Sequence, residues 1–356
     1  MTKSLCTFAR CISHDNRWQR KGLYPRKMKK LTTLLVVLLI TLSGMATTGN
    51  GRLKVGLVLG GGGAKGAAEV GVLKIIEQVG IPIDYIAGTS IGSIVGGLYS
   101  VGYRSADIDT MFCSQEWVTL LSDREPQFKD KLITKKDGIT YVLGFPVGRK
   151  GSKLADSAFG AMRGDNIIEL LDSMTQRHDS INFDELPIPF RCVAVDFKTL
   201  HEVVLSKGHL PIAMRASMAI PGAFKPVKLD SMELIDGGAL NNLPVDVVRK
   251  MGADVVIAID LTQNKRETRN KEMKPAKGAG ALVEWVISRP DLKKYNENRK
   301  NCDVYINPDL KGYDATSFSP AKITDMIKRG EVAGEAAREQ LEQLKLKVLK
   351  GHVTQL

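Results

Sequence analysis

The stretch Lys54-Val55-Gly56-Leu57-Val58-Leu59-Gly60-Gly61-Gly62-Gly63-Ala64-Lys65-Gly66 decides the architecture. Its apolar run is too short for a helix and ends in four consecutive glycines, the punctuation that closes a buried strand. Val72, Ile75, Ile76 and Val79 then recur at helical spacing, so the segment reads as strand, glycine loop and helix. The next residues repeat that order. Gly80-Ile81-Pro82 breaks the helix, residues 83–87 form a second strand, and Ile91, Ile94, Val95, Leu98 and Tyr99 mark the core side of a second helix. Strands alternating with helices predict an α/β fold, a single domain with a mainly parallel central sheet flanked by helices.

Working outward, residues 190–197, 203–205, 232–235 and 254–260 read as further strands and 244–251 as a helix, which sets the domain at residues 53–310. Two segments depart from this pattern. Residues 124–164 are rich in Lys, Gly and turn formers, with one apolar stretch at 141–147. Lys129, Lys131, Lys135, Lys136 and Lys153, beside Tyr141 and Phe145, suit either a solvated hairpin or a lid that meets anionic lipid. Residues 321–350 read as a C-terminal amphipathic helix, packed on the domain through Leu341, Leu344 and Val348.

The first 46 residues belong outside the fold. Arg26, Lys27, Lys29 and Lys30 precede a mostly apolar run at 31–40, and Gly44-Met45-Ala46 offers a small-residue cleavage site, the pattern of a secretory signal peptide. The run falls short of the roughly 20 residues a membrane span needs. Translation is expected to start at Met28, and the product to be exported, periplasmic or secreted and in contact with a membrane. This leader carries nine Lys and Arg against Asp15, eight of the chain's twelve net positive charges, and its removal leaves about +4. A nucleic-acid partner is therefore not indicated. The remaining cysteines, Cys113, Cys192 and Cys302, are odd in number and widely spaced, which points to neither a disulfide framework nor a zinc site.

Gly88-Thr89-Ser90-Ile91-Gly92 falls between the second strand and the second helix. In that context a G-x-S-x-G turn can expose a serine hydroxyl as a nucleophile, although the pentapeptide alone fits an ordinary strand-to-helix turn equally well. The loop Gly61-Gly62-Gly63-Ala64-Lys65-Gly66 can present backbone N–H groups to an oxyanion, with Gly62 and Gly63 as first choices, Gly61 beside them and Lys65 supporting the loop or meeting an anionic head group. The same glycines fit a dinucleotide fingerprint, which expects an acidic residue at the end of the second strand. Asp84 begins that strand instead, while Ser90 follows its end, so acyl transfer fits better and no dinucleotide is expected. Asp236-Gly237-Gly238 places a carboxylate after an apolar strand, where it serves as a turn or as a general base for Ser90. His178, His201, His209 and His352 lie in no motif. Asp196 and Asp260 end strands and suit turn or capping roles, and Arg215 a packing role.

Together, in this order, the glycine loop, the serine pentapeptide and the Asp-Gly-Gly resemble the patatin-like phospholipase family over roughly residues 53–260. The segment Ala213-Met214-Arg215-Ala216-Ser217-Met218-Ala219-Ile220-Pro221 is similar to one that the family carries before its catalytic aspartate. The resemblance implies a Ser/Asp dyad without histidine: Ser90 attacks a lipid ester, Asp236 takes its proton, and Gly61, Gly62 and Gly63 form the oxyanion hole. It implies support from Gly66, Gly88, Gly92, Gly237 and Gly238, and no calcium or other cofactor. A lipid-binding envelope protein that keeps the fold without catalysis is the alternative.

Overall fold

The structure, a computed structural model, describes residues 52–123, 131–136, 139–142, 145–147, 162–175, 181–263 and 291–351. The leader and most of the lysine-rich segment lie outside the described residues. Residues from Arg52 onward form a compact unit.

The first two strand–helix units run β1 (Val55–Leu59), a 3-10 turn (Gly63–Gly66), α1 (Ala67–Val79), β2 (Tyr85–Thr89) and α2 (Ile91–Ser100). Next come α3 (Ser105–Ser114), α4 (Trp117–Leu121), the hairpin strands β3 (Ile133–Lys136), β4 (Ile139–Val142) and β5 (Phe145–Val147), and α5 (Asp165–Met174). The second half contains β6 (Ile181–Asn182), β7 (Phe190–Asp196), β8 (His201–Leu205), β9 (Lys207–Gly208), α6 (Leu210–Ser217), β10 (Val227–Leu229) and β11 (Met232–Asp236). It ends with α7 (Val245–Met251), β12 (Val255–Ile259), α8 (Leu292–Lys300), β13 (Val304–Ile306), α9 (Pro320–Ala336) and α10 (Arg338–Lys350).

Hydrogen-bonded neighbours in the main sheet follow the path β10-β11-β7-β2-β1-β12-β13, with β8 also paired to β7; β11 and β2 share one side of β7 and β8 takes the other. Strands β7, β2, β1, β12 and β13 pair in parallel, whereas β8, β10 and β11 are antiparallel additions. The expected α/β class therefore holds, in a mixed sheet with mostly parallel strands. Side chains of a strand alternate between faces, and here each face meets its own core. Val55, Leu57, Leu59, Val255, Ile257 and Ile259 pack with the helices α1 and α2. Their neighbours Val58, Val256 and Ala258 pack with Val245, Val248 and Tyr295 from α7 and α8. A parallel sheet covered on both faces explains why its strands read as unbroken apolar runs.

The second strand runs Tyr85–Thr89, two residues later at each end than the expected 83–87. Asp84 lies before the strand rather than beginning it, because its carboxylate accepts hydrogen bonds from Arg52 and from the Val55 N–H at 2.8 Å. The C-terminal stretch forms two helices rather than one, broken at Ala337. Leu341, Leu344 and Val348 are buried, and Lys345 Nζ donates to the Val79 carbonyl at 2.7 Å.

Candidate active site

Two strands meet end to end on one side of β7. Val193 pairs with Thr89 in parallel, while the next residue, Ala194, pairs with Asp236 in antiparallel register. The opposite side of both is taken by β8. Strands β2 and β11 therefore run toward each other and stop at adjacent rungs, so the residue after Thr89 arrives beside Asp236. Strand register thus closes a separation of 146 positions in sequence.

At that junction Ser90 adopts φ 56° and ψ −125°. Positive φ in a non-glycine residue costs of order 1–3 kcal/mol and needs support from its surroundings. The support is visible: Ser217 Oγ accepts the Ser90 N–H at 2.9 Å, and Ser93 N and Oγ both donate to the Ser90 carbonyl. The flanking glycines have a steric reason. A Cβ on Gly88 would strike the backbone of Gly92, and one on Gly92 would strike the Leu59 carbonyl, because helix and strands cross here in backbone contact.

Ser90 Oγ donates to Asp236 Oδ2 at 2.6 Å, and both residues are buried. Asp236 Oδ1 accepts the Gly238 N–H at 2.7 Å, and the Asp236 N–H donates to the Ala219 carbonyl at 3.0 Å. Burial pushes the Asp236 carboxyl up to about 6, against the opposing pull of the Ser90 and Gly238 hydrogen bonds. A carboxylate near that value is a better proton acceptor at neutral pH than an ordinary one near 4. Ser217 and Ala219 both belong to the 213–221 segment, which thus holds nucleophile and carboxylate together.

The glycine loop closes the third side. Gly60, Gly61 and Ala64 give their N–H groups to the carbonyls of Ile259, Asn242 and Ala315 at 3.1, 3.3 and 2.9 Å. The Gly61 N–H is therefore already engaged by a protein carbonyl. Lys65 Nζ donates to the Leu261 carbonyl at 3.1 Å, which ties the loop to the end of β12. Gly66 lies against Ile91, and Gly237 against the Val193 backbone.

Two cavities meet at Ser90. One, of about 210 Å³, is lined by Gly61, Gly62, Asp236, Gly238 and Asn242. The other, of about 250 Å³, is apolar and lined among others by Ile94, Trp117, Leu121, Phe224 and Phe318. Gly63, Ser90, Ile220 and Ala315 border both. The sequence alone does not point to Asn242, Ala315 or the α4 aromatic Trp117 as lining the site.

Among the described residues no histidine borders either cavity. His209 faces Asp172 at 3.0 Å, and His178 and His352 lie outside the described residues. Asp196 serves the turn into β8, accepting from Thr199 Oγ1 at 2.8 Å, and Asp260 holds the hydroxyls of Tyr295 and Tyr305. Arg215 is fully buried, bonded to the Arg163 and Lys225 carbonyls and stacked over Phe224 at 4.7 Å. Burial lowers its value to about 10, partly offset by Asp123 and Asp165. Its role is packing.

Similarity to known proteins bears on the family of the chain. A patatin-like phospholipase domain-containing protein of Caenorhabditis elegans is 36% identical over 218 residues, covering 60% of this chain and 14% of that protein. Lysophospholipase nte1 of Aspergillus niger is 33% identical over 315 residues, covering 81% of this chain and 18% of that protein. The chain thus spans less than a fifth of the length of these relatives. VipD from Legionella pneumophila superposes with a TM-score of 0.47 at 16% identity, covering 81% of this chain and 67% of that one. The sequence model described as patatin-like phospholipase matches residues 57–249, more than half of the chain, including the glycine loop, Ser90 and Asp236. The chain belongs to the patatin-like phospholipase family.

Proposed function

We propose that this protein is a serine acyl hydrolase that cleaves ester bonds of phospholipids or related acyl lipids. The observation that carries the reading is the buried 2.6 Å hydrogen bond from Ser90 to Asp236, set where an apolar cavity meets the glycine loop. Ser90 Oγ attacks the ester carbonyl carbon while Asp236 Oδ2 takes the hydroxyl proton. The carbonyl oxygen becomes an oxyanion, held by the N–H groups of Gly62 and Gly63. Collapse of the tetrahedral species breaks the bond to the leaving alcohol, which receives the proton from Asp236 and departs. Asp236 then takes a proton from water, the hydroxide attacks the acyl-enzyme, and Ser90 recovers its hydroxyl as the fatty acid leaves. The ester and one water give one acid and one alcohol.

The surroundings favour this chemistry over simple binding. The 3-10 turn and α2 both start at the site, so their N-terminal partial positive charge assists ionisation of Ser90 and the oxyanion. The apolar cavity suits an acyl chain, and the cleft beside Asn242 suits the alcohol portion. Lysophospholipase, the name of the Aspergillus relative, denotes hydrolysis of the same bond type. The dinucleotide alternative loses its acid, because Asp84 lies at the far end of β2 from Ser90 and is engaged by Arg52.

The test is turnover of phospholipid and chromogenic acyl esters. Ser90→Ala and Asp236→Asn should each lower kcat by more than about 10³-fold, and a fluorophosphonate should label wild type but not Ser90→Ala. Activity retained in both variants overturns the dyad. We further propose that the protein is exported, on the strength of the basic and apolar leader at residues 26–46. N-terminal sequencing of protein from the periplasmic or extracellular fraction should find the chain cut near Ala46, and an intact leader on cytoplasmic protein overturns it.

A further inference from the structure

Asn242 joins the glycine loop to the aspartate loop. Its side-chain Nδ2 donates to the Gly61 carbonyl at 3.2 Å, and its own carbonyl accepts the Gly61 N–H at 3.3 Å. Gly61 is thus held from both its backbone groups by one residue that lies 181 positions away. The side-chain Oδ1 of Asn242 fills the space where a Cβ on Gly61 would lie, and the space 2.7 Å from where a Cβ on Gly238 would lie. The amide is therefore a spacer between two bare backbones, one leading into Gly62 and Gly63, the other donating the Gly238 N–H to Asp236 Oδ1 at 2.7 Å.

The rest of the neighbourhood is anchored elsewhere. The preceding residue, Asn241, is wholly buried; its carbonyl accepts Thr89 Oγ1 at 2.8 Å, and its side chain bonds to Asp246 and Asn298. Asn241 fixes the chain to the scaffold, while the half-buried Asn242 is turned into the cleft and lines it with Ser90 and Asp236. Two peptide donors that must meet an oxyanion at hydrogen-bond distance lose most of their effect if displaced by an ångström. Glycine loops do not hold such a position by themselves.

We propose that Asn242 is a positioning residue that sets the distance between the oxyanion donors at Gly62 and Gly63 and the Ser90/Asp236 pair. It also forms the wall of the cleft that receives the alcohol leaving group. This rests on the acyl-hydrolase reading above. Asn242 touches no reacting atom in the proposed step, and its contribution is to kcat rather than to binding of the acyl chain.

The experiment compares wild type, Ser90→Ala, Asn242→Ala, Asn242→Ser and Asn242→Asp on one soluble acyl ester, with kcat, KM and thermal midpoint measured for each. Asn242→Ala should lower kcat by about 10- to 100-fold with KM changed less than about twofold, and Asn242→Ser should recover part of the loss. In Asn242→Asp an ionised carboxylate cannot donate to the Gly61 carbonyl but a protonated one can. Its activity relative to wild type should therefore rise as pH falls through the carboxylate range, with the thermal midpoint read at each pH to separate this response from a change in folding. Asn242→Ala within threefold of wild type in kcat overturns the proposal. So does a flat activity ratio against pH for Asn242→Asp, which also decides the matter if the alanine variant fails to fold. Turnover by Ser90→Ala would instead sink the acyl-hydrolase reading itself, and this inference with it.

Discussion

The hydroxyl of Ser217 links Ser90 to the sheet: it accepts the Ser90 N–H at 2.9 Å and donates to the Val193 carbonyl at 2.6 Å. Val193 is the residue of β7 that pairs with Thr89, so this hydroxyl holds the turn against the neighbour of the strand it has just left. Ser217→Ala removes the acceptor of a buried N–H and one donor to a buried carbonyl, which costs about 1–3 kcal/mol. The positive φ of Ser90 then has less to maintain it. The expected outcome is a kcat lowered by about tenfold or more and a lower thermal midpoint. Ser217→Thr, which retains the hydroxyl, should recover more activity than Ser217→Ala. Equal activity in the two would show that the hydroxyl is not what holds the turn.

Asp236 gives two effects of opposite sign. As a general base it must be ionised, so with its carboxyl pushed up to about 6 by burial the acylation rate should rise with pH to a plateau above about 7. Stability runs the other way. The folded protein holds this proton where the unfolded chain, titrating at the ordinary carboxyl value, has released it, so stability is fully present below about pH 4 and falls as pH rises through about 6. The ionised form is disfavoured by about 3 kcal/mol. Asp236→Asn should therefore be inactive yet more stable than wild type at pH 8, with no gain at pH 4. Denaturant unfolding at the two pH values checks this, and a variant less stable at pH 8 would refute it.

Much of this site was legible from residue type and order because the local chemistry leaves few choices. Gly88 and Gly92 are demanded by backbone contact, Ser90 by its place after a strand, and Asp236 by the two glycines that let its loop turn back. What could not be read was anything set by register between distant strands. Nothing in the sequence says that Thr89 and Asp236 stop on neighbouring rungs of β7, that Asn242 faces Gly61, or that Ala315 reaches over the glycine loop to take the Ala64 N–H. The break at Ala337 was hidden for a different reason: Glu335, Ala336, Arg338 and Glu339 around it are good helix formers.

Glu69 is a second buried carboxyl, and it lies outside the proposed chemistry. It is in the first turn of α1, fully buried, and burial drives its value well above the usual carboxylate range, with the Gly60 N–H opposing and the charge of Asp260 adding to the rise. The folded protein thus retains a proton that the unfolded chain releases, so stability is greatest below the ordinary value and declines as pH rises. Glu69→Gln keeps the shape without the proton. It should match wild type in stability near pH 4 and exceed it progressively toward pH 8 and above, while kcat at neutral pH is unchanged within about twofold. A stability difference that does not depend on pH would show that Glu69 is ionised in the folded protein.

The walls of the apolar cavity set how much acyl chain the site accepts. Trp117 is buried on α4, stacked on Phe318 at 5.4 Å and tilted against Phe112 at 5.1 Å, with its Nε1 donating to the Phe112 carbonyl at 2.8 Å. Leu121, one turn further along the same helix, is only half-buried and also faces the cavity. Trp117→Ala enlarges a space of about 250 Å³ by most of an indole, at a stability cost of about 3–5 kcal/mol. Leu121→Trp fills the space from a position that can relax toward solvent, so its cost should be smaller. Each methylene that gains or loses a wall changes selectivity by roughly 10-fold or more. Across a series of acyl esters from four to sixteen carbons, kcat/KM for Trp117→Ala should peak at a longer chain than wild type, and for Leu121→Trp at a shorter one. Ser90→Ala carries the background for both. If the optimum stays at the same chain length in both variants, the acyl group does not enter this cavity, and the chain must leave Ser90 by the cleft beside Asn242 instead.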